Sequence, residues 1–372
     1  MFWQSLLALA AVAEALPKDL NSAMIEARQG GVTMLRFGCR QVVIDRLDPL
    51  VNPGQIPSTH VHQIVGGNAF NASMTTSDVS NAATCTTCEF SEDFSNYWTA
   101  NLYYKAKNGT FKRVPQGSAA LQFGDTYSNK IDGGILVYYV SAQPGKITAF
   151  KPGFRMLVGD PMQRSRPDTT LKRQNCYRCY TGPNFGGDTA APCQGSATLD
   201  TEPLPPKPCA GGIRSNIHFP TCWDGKNLDS PNHKDHVAYP VTGPATFLSL
   251  GGACPSTHPV RIPQLMYEVV WDTTGFNKLW QAGDKDPNDS QPFYLSTGDN
   301  TGLGQHADYV FGWKGNSLQS AMDTSNCMGA KCAQLKTQTI EQAKACSVRK
   351  VVNENQDGWI TQLPGVEGMT GM

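Results

Sequence analysis

The chain has 372 residues and a formal net charge of zero, its 31 basic and 31 acidic side chains spread along the length. No basic stripe marks a nucleic-acid or anionic-membrane partner, and only 17% of residues are charged. Gly (36) and Pro (25) interrupt regular elements, so the composition predicts strands, turns and long ordered loops.

The N-terminal MFWQSLLALAAVAEALPKDL reads as a secretory signal over residues 1–15, ending in Ala13-Glu14-Ala15. That run is too short to span a bilayer, and no later segment approaches ~20 apolar residues. Twelve cysteines fit an oxidising compartment and up to six disulfides of unassigned pairing. Sequons at Asn71, Asn108 and Asn288 agree with a secretory route. The expected organisation is one secreted β-rich domain over 16–350 followed by a C-terminal tail, 351–372.

In chain order, DLNSAMIEARQG predicts a short helix and VTMLRF and QVVID predict strands. NLYYKAK and TFKRVP flank Asn108-Gly109 and predict a hairpin with a type I′ turn. Further strands are expected near 133–140, 154–159, 245–250, 267–271 and 308–313, and a helix near 338–345. Residues 160–215 carry Cys176, Cys179, Cys193 and Cys209 and read as a disulfide-stapled loop region. The stretch SNIHFPTCWDGKNLDSPNHKDHVAYP shows neither helical nor strand periodicity and reads as a polar loop anchored through Cys222. The fold class expected is mainly β, a single β-sandwich or jelly-roll-like domain with long disulfide-stapled loops and few short helices.

Seven histidines stand in Gly- or Pro-flanked contexts. In an extended HVHQIVGG, His60 and His62 point to one face, a spacing that places two imidazoles on one metal ion or one substrate group. With His306 they form the candidate metal set, for a divalent ion such as zinc. Cleavage near Ala15 leaves Leu16 as the first residue, which disfavours a copper site built on an N-terminal histidine. A hydrogen-bonded pair in a half-exposed loop is the bland alternative for His60 and His62. The candidate catalytic set is Asp224, His236, His258 and Asp308, groups able to serve as general acid or base once their neighbours tune them. Asp224 before Gly225 also fits a plain Asx turn. Trp98, Trp223, Asp229 and Tyr239 are the candidate binding residues, the rings by stacking on sugar faces, with core packing as the commoner fate of such rings. Glu268 and Asp272 lie about 13 Å apart along a strand, too far for the carboxyl pair of a glycosidase. Nucleophile-elbow and phosphate-loop patterns are absent.

Several long stretches carry a resemblance: IDRLDPLVNPG, HVHQIVGGNAF, SEDFSNYWTANLYY, FKPGFRMLVGD, GGIRSNIHFPTCWDGKNLDSP, CPSTHPVRIPQL and GQHADYVFGW. Together they resemble a family of exported proteins of unknown function widespread in fungi, over roughly residues 30–325. Its members often bear carbohydrate-binding WSC modules, which this chain lacks. The resemblance implies an extracellular or cell-wall setting and polysaccharide partners. Two readings follow: a protein acting on cell-wall or plant polysaccharide through a His/Asp-lined, metal-dependent site, or a non-catalytic glycan- or metal-binding wall protein.

Overall fold

The computed structural model describes residues 33–366 apart from 76, 117–132, 142–145, 167–173, 183–195, 197, 244–251, 281–290 and 325–326. The helix expected at DLNSAMIEARQG and the strand expected near 245–250 fall outside the described residues.

Two large sheets form the body, numbered here in chain order. One contains, from edge to edge, β10 (Asp200–Thr201), β9 (Asn175–Cys179), β11 (Ile213–His218), β15 (Gln264–Trp271), β7 (Ile135–Val140), β1 (Met34–Cys39) and β18 (Met328–Gly329). The other contains β2 (Gln41–Asp45), β3 (His62–Gly66), β4 (Asn96–Ala100), β17 (His306–Val310) and β8 (Arg155–Gly159), all antiparallel. Smaller sheets are β16 (Phe293–Leu295), β5 (Leu102–Lys105), β6 (Phe111–Arg113) and β19 (Trp359–Ile360), and β13 (Val237–Ala238), β12 (Cys222–Trp223) and β14 (Val260–Arg261). Among the described residues the α-helices are short: α1 (Val79–Ala82), α2 (Ser317–Met322) and α3 (Ile340–Ala345). The architecture is the sandwich-like, mainly β one that the sequence predicts.

The alternation of strand side chains assigns each residue a layer. Leu35, Phe37, Val137, Tyr139, Tyr267, Tyr97 and Tyr309 belong to the main core between the large sheets. There the Tyr97 hydroxyl donates to Asp93 Oδ2 at 2.6 Å, the Tyr97 and Tyr139 hydroxyls meet at 2.9 Å, and Tyr139 donates to Tyr309 at 2.9 Å. These bonds link β4 and β17 of one sheet to β7 of the other. The opposite face of the five-stranded sheet carries a second apolar cluster of Val43, Leu47, Ile64, Trp98 and Val310. On the outer face of the seven-stranded sheet Arg36 donates to the Tyr138 hydroxyl, which donates to Glu268, with Arg214 3.5 Å from the same carboxylate.

Several local expectations are corrected. The hairpin joins β5 to β6, but only Gly109 of its turn has positive φ (81°), and its N–H donates to Ala106 O. A type I′ turn needs two left-handed residues, so this is a type I turn closed by a glycine bulge. Residues 213–218 form a strand, not a loop: the run alternates Arg214, Asn216 and His218 against Ile213, Ser215 and Ile217, and its polar members hide the period. Residues 175–179 are likewise a strand inside the stapled region. Residues 351–366 do not trail away as a tail. Trp359 and Ile360 pair with β6, Leu363 is fully buried, and Arg46 meets Glu354 at 2.9 Å.

Disulfides Cys39–Cys88, Cys85–Cys346, Cys179–Cys209, Cys222–Cys254 and Cys327–Cys332 tie loops to this frame, and Cys176 is also disulfide-bonded. The two C-x-x-C pairs are therefore not zinc ligands.

Candidate metal centre

β3 and β17 run in the same direction on either side of β4, so their first residues, His62 and His306, stand at one end of the sheet. The residue of β4 in register with His62 is Ala100, which interposes no more than a methyl group. His60 lies two residues upstream of His62, and its ring centroid is 4.2 Å from that of His62. The His306 Nε2 is 3.0 Å from His60 Nε2 and 3.4 Å from His62 Nε2. All three rings are buried.

The outer nitrogens are fixed by the surrounding chain. His62 Nδ1 lies 3.0 Å from the Leu47 carbonyl and His306 Nδ1 lies 3.1 Å from the Gly304 carbonyl. A carbonyl only accepts, so each Nδ1 carries the proton and each neutral ring turns a bare Nε2 lone pair inward. His60 Nδ1 faces the Thr59 hydroxyl at 2.9 Å, which suits either tautomer. Burial pushes His62 and His306 down to about 4, and burial with the neighbouring rings holds His60 well below the usual histidine value. The rings are therefore neutral at physiological pH, the form in which imidazole binds metal.

This donor set fits a divalent cation. A tetrahedral zinc with Zn–N of about 2.0–2.1 Å sets its ligand nitrogens about 3.3–3.4 Å apart, close to the two spacings here. Without a cation the bare lone pairs of His62 and His306 face each other, an unfavourable contact inside a low-dielectric interior. Held Nδ1–H groups are also what metal-binding histidines show around them. The ligand atoms of His60, His62 and His306 all lie within 4.8 Å of one another. Cys39, Cys88 and Asp93 are equally close, but the two cysteines are joined as a disulfide.

The surrounding loops close over this end of the sheet. Leu47 and Asp48 belong to the loop after β2, where Asp48 Oδ1 accepts from the N–H groups of Leu50 and Val51. Burial raises the Asp48 carboxyl, and His306 is among the neighbours that oppose the rise. Lys234 Nζ donates to Gly159 O at 2.6 Å, and Gly159 is the β8 residue in register with His306. Gly159 has φ of +83°, and a Cβ there would run into the Gln305 carbonyl and the His306 backbone, so only glycine permits this approach. Asp299 Oδ2 accepts from Gly304 N at 2.7 Å and so fixes the carbonyl that orients His306.

The family-model comparison matches residues 48–313 to a domain of unknown function, DUF1996. The chain belongs to this family. The DUF1996 region contains His60, His62, His306, Asp48, Lys234 and Asp308. Neither a curated protein nor a solved structure matches the chain.

The other candidate residues are placed differently. Asp308 lies two residues after His306, fully buried, with neither carboxylate oxygen hydrogen-bonded. Burial, with Asp48 nearby, raises its carboxyl well above the usual range. Asp224 lies in the β12 turn and accepts from Lys226 N, Asn227 N and the Asn227 side chain, an Asx-turn arrangement that holds it low. His236 sits between Ser230 Oγ and the Arg155 carbonyl, and His258 between Thr257 Oγ1 and the Asp235 carbonyl. Both nitrogens of each ring are thus engaged by local partners, outside the three-histidine group. Asp229 binds His233 Nδ1 at 2.6 Å. Trp98 is fully buried against Phe70, Trp223 is buried with its Nε1–H on the Asn227 carbonyl, and the Tyr239 hydroxyl donates to His218 O. Neither tryptophan presents an open ring face to solvent; packing has taken both. Asp48, Thr59 and Lys234 escaped the sequence reading, although IDRLDPLVNPG marked the first of them. The Leu47 and Gly304 carbonyls leave no side-chain signal at all.

Proposed function

We propose that this is an extracellular metalloprotein of the cell-wall polysaccharide setting, in which His60, His62 and His306 hold one divalent ion, zinc foremost. The convergence of three buried Nε2 atoms at 3.0 and 3.4 Å carries the reading. The fold supports it by fixing two of the three Nδ1 atoms on backbone carbonyls before any ion arrives. The signal-like N-terminus and the abundant cysteines support the extracellular setting, and the resemblance to fungal exported proteins supports polysaccharide as the partner.

Three protein ligands leave a fourth position on a tetrahedral ion, the arrangement of zinc sites that polarise a substrate or activate water. Metal analysis of the purified chain is expected to give about one zinc per molecule. His62→Ala and His306→Ala should both fall to background. Background metal in the wild-type protein after zinc loading would overturn the reading. Incubation with a panel of wall and plant polysaccharides then separates cleavage, seen as new chain ends, from retention without products.

A further inference from the structure

Asp308 is an unusual group for the interior of a sheet. It is 0% exposed, both carboxylate oxygens are without a hydrogen bond, and the residue of β4 opposite it is Trp98. Opposed residues of an antiparallel pair share a face, so the indole and the carboxyl stand on the same side of the sheet. The Trp98 Nε1–H is itself buried and without a partner. Around them lie Ile64, Val310 and the rest of the second apolar cluster. A lone carboxyl in such surroundings costs stability, and it persists where something absent from the protein chain completes it.

The position of Asp308 says what that partner is. His306 and Asp308 are two apart on β17, so their side chains leave the same face about 6.6 Å apart along the strand. Asp48, from the loop covering this face, interacts electrostatically with both of them. Its own Oδ1 is occupied by two backbone N–H groups, whereas Asp308 has no such donors. A zinc-bound water reaches outward by one hydrogen-bond length beyond the metal's own ligand shell, and outer carboxylates are the usual acceptors of such contacts.

We propose that Asp308 is a positioning residue of the metal centre, accepting a hydrogen bond from the water in the ion's fourth position while Trp98 Nε1–H donates to the same carboxylate or water. The inference rests on the three-histidine reading above. It deepens that reading: the fourth position is taken by a water that Asp308 orients, the arrangement of a centre that activates water.

The test compares wild type, Asp308→Asn and Trp98→Phe as full-length proteins, with zinc affinity by chelator competition and the visible spectrum after cobalt loading. Asp308→Asn keeps the shape and replaces the carboxyl with an amide that cannot ionise. It should weaken zinc about 10- to 100-fold, the usual effect of losing an outer partner, and shift the cobalt bands. Apo stability should stay about level, because one buried, unpaired polar group of the same shape replaces another. Trp98→Phe keeps the packing ring and should weaken zinc to a smaller extent in the same direction; it serves as the readout if Asp308→Asn does not fold. Wild-type zinc affinity and cobalt bands in the folded variants would overturn the role of Asp308 while leaving the metal centre intact. A wild-type protein that takes up neither ion would overturn both.

Discussion

β4 and β17 carry buried polar groups on both faces, and the two faces are built on opposite terms. Toward the main core, Tyr97 and Tyr309 join Tyr139 and Asp93 in a chain of hydrogen bonds in which both Asp93 oxygens have donors. Toward the outer face, His306, Asp308 and Trp98 leave bare nitrogens, two unpaired oxygens and an unpaired N–H. Burial is equally complete on both sides, so burial does not distinguish them. Satisfaction does. A closed network specifies packing, whereas an open one of complementary sign is completed from outside.

The largest expected effect is on the open face. Zinc at a hundred times its dissociation constant should stabilise the wild-type protein by about 2.7 kcal/mol, by mass action alone. His62→Ala or His306→Ala should abolish the zinc-dependent rise in melting temperature, measured with and without chelator. A zinc-dependent rise that survived both substitutions would place the ion elsewhere and collapse the contrast between the faces.

The closed face predicts a pH response of its own. Burial raises the Asp93 carboxyl to about 7, opposed by bonds from Tyr97 and Ser95. The folded state therefore holds a proton that the unfolded state has lost, from the ordinary aspartate value near 4 up to about 7. Stability should fall with rising pH across that window, by at most about 1.4 kcal/mol per pH unit, and level off above it. Asp93→Asn should remove that slope in denaturant titrations and leave zinc affinity unchanged. A slope that persisted in the variant would show that another group titrates there, and a changed zinc affinity would show the two faces to be coupled.

Much of the outer face was legible in the sequence, and the reasons are physical. Two-residue spacing placed His60 and His62 together because strand geometry is local. His306 and Asp308 stood out at the start of an otherwise apolar run, HADYVFGW. What the sequence hid was everything set by other segments. Leu47 and Gly304 act through backbone carbonyls, and Asp48 and Lys234 approach from separate loops. Asp224 and Trp223 misled because a polar turn and a ring look alike whether they face a ligand or their own loop; here Asp224 caps its turn through Asn227. The strand at 213–218 was missed because its alternation is read only when Arg, Asn and His are allowed to be the buried face. The β-rich class survived these errors, since it rested on composition and many short runs at once.

The smallest expected effect concerns how the open face is covered. His233 is the one non-glycine residue with positive φ (56°) among those described. Its Nδ1 meets the Asp229 carboxylate at 2.6 Å and its Nε2 meets the Leu50 carbonyl at 3.1 Å. Both partners only accept, so both contacts are made together only by the protonated ring. The bond to Asp229 raises the His233 value; partial burial and Arg155 oppose it, while Asp229 itself adds to it. Asp48 and His236 are the other titratable groups in its field. The sign follows from the raised value: the clamp is fully formed below the ordinary histidine range and is lost as pH rises through the folded-state value. Above it, a bare nitrogen faces the Leu50 carbonyl and the loop carrying Asp48 is released. The half-exposed setting keeps the stability effect well under about 1 kcal/mol, so the sensitive measurement is local. Hydrogen exchange at residues 46–58, corrected for the intrinsic pH dependence, should accelerate above that point in wild type. In His233→Asn, which tolerates the same left-handed backbone, it should be fast throughout. Identical profiles in the two proteins would mean that the cover over the histidines is set by Lys234 and β8 alone.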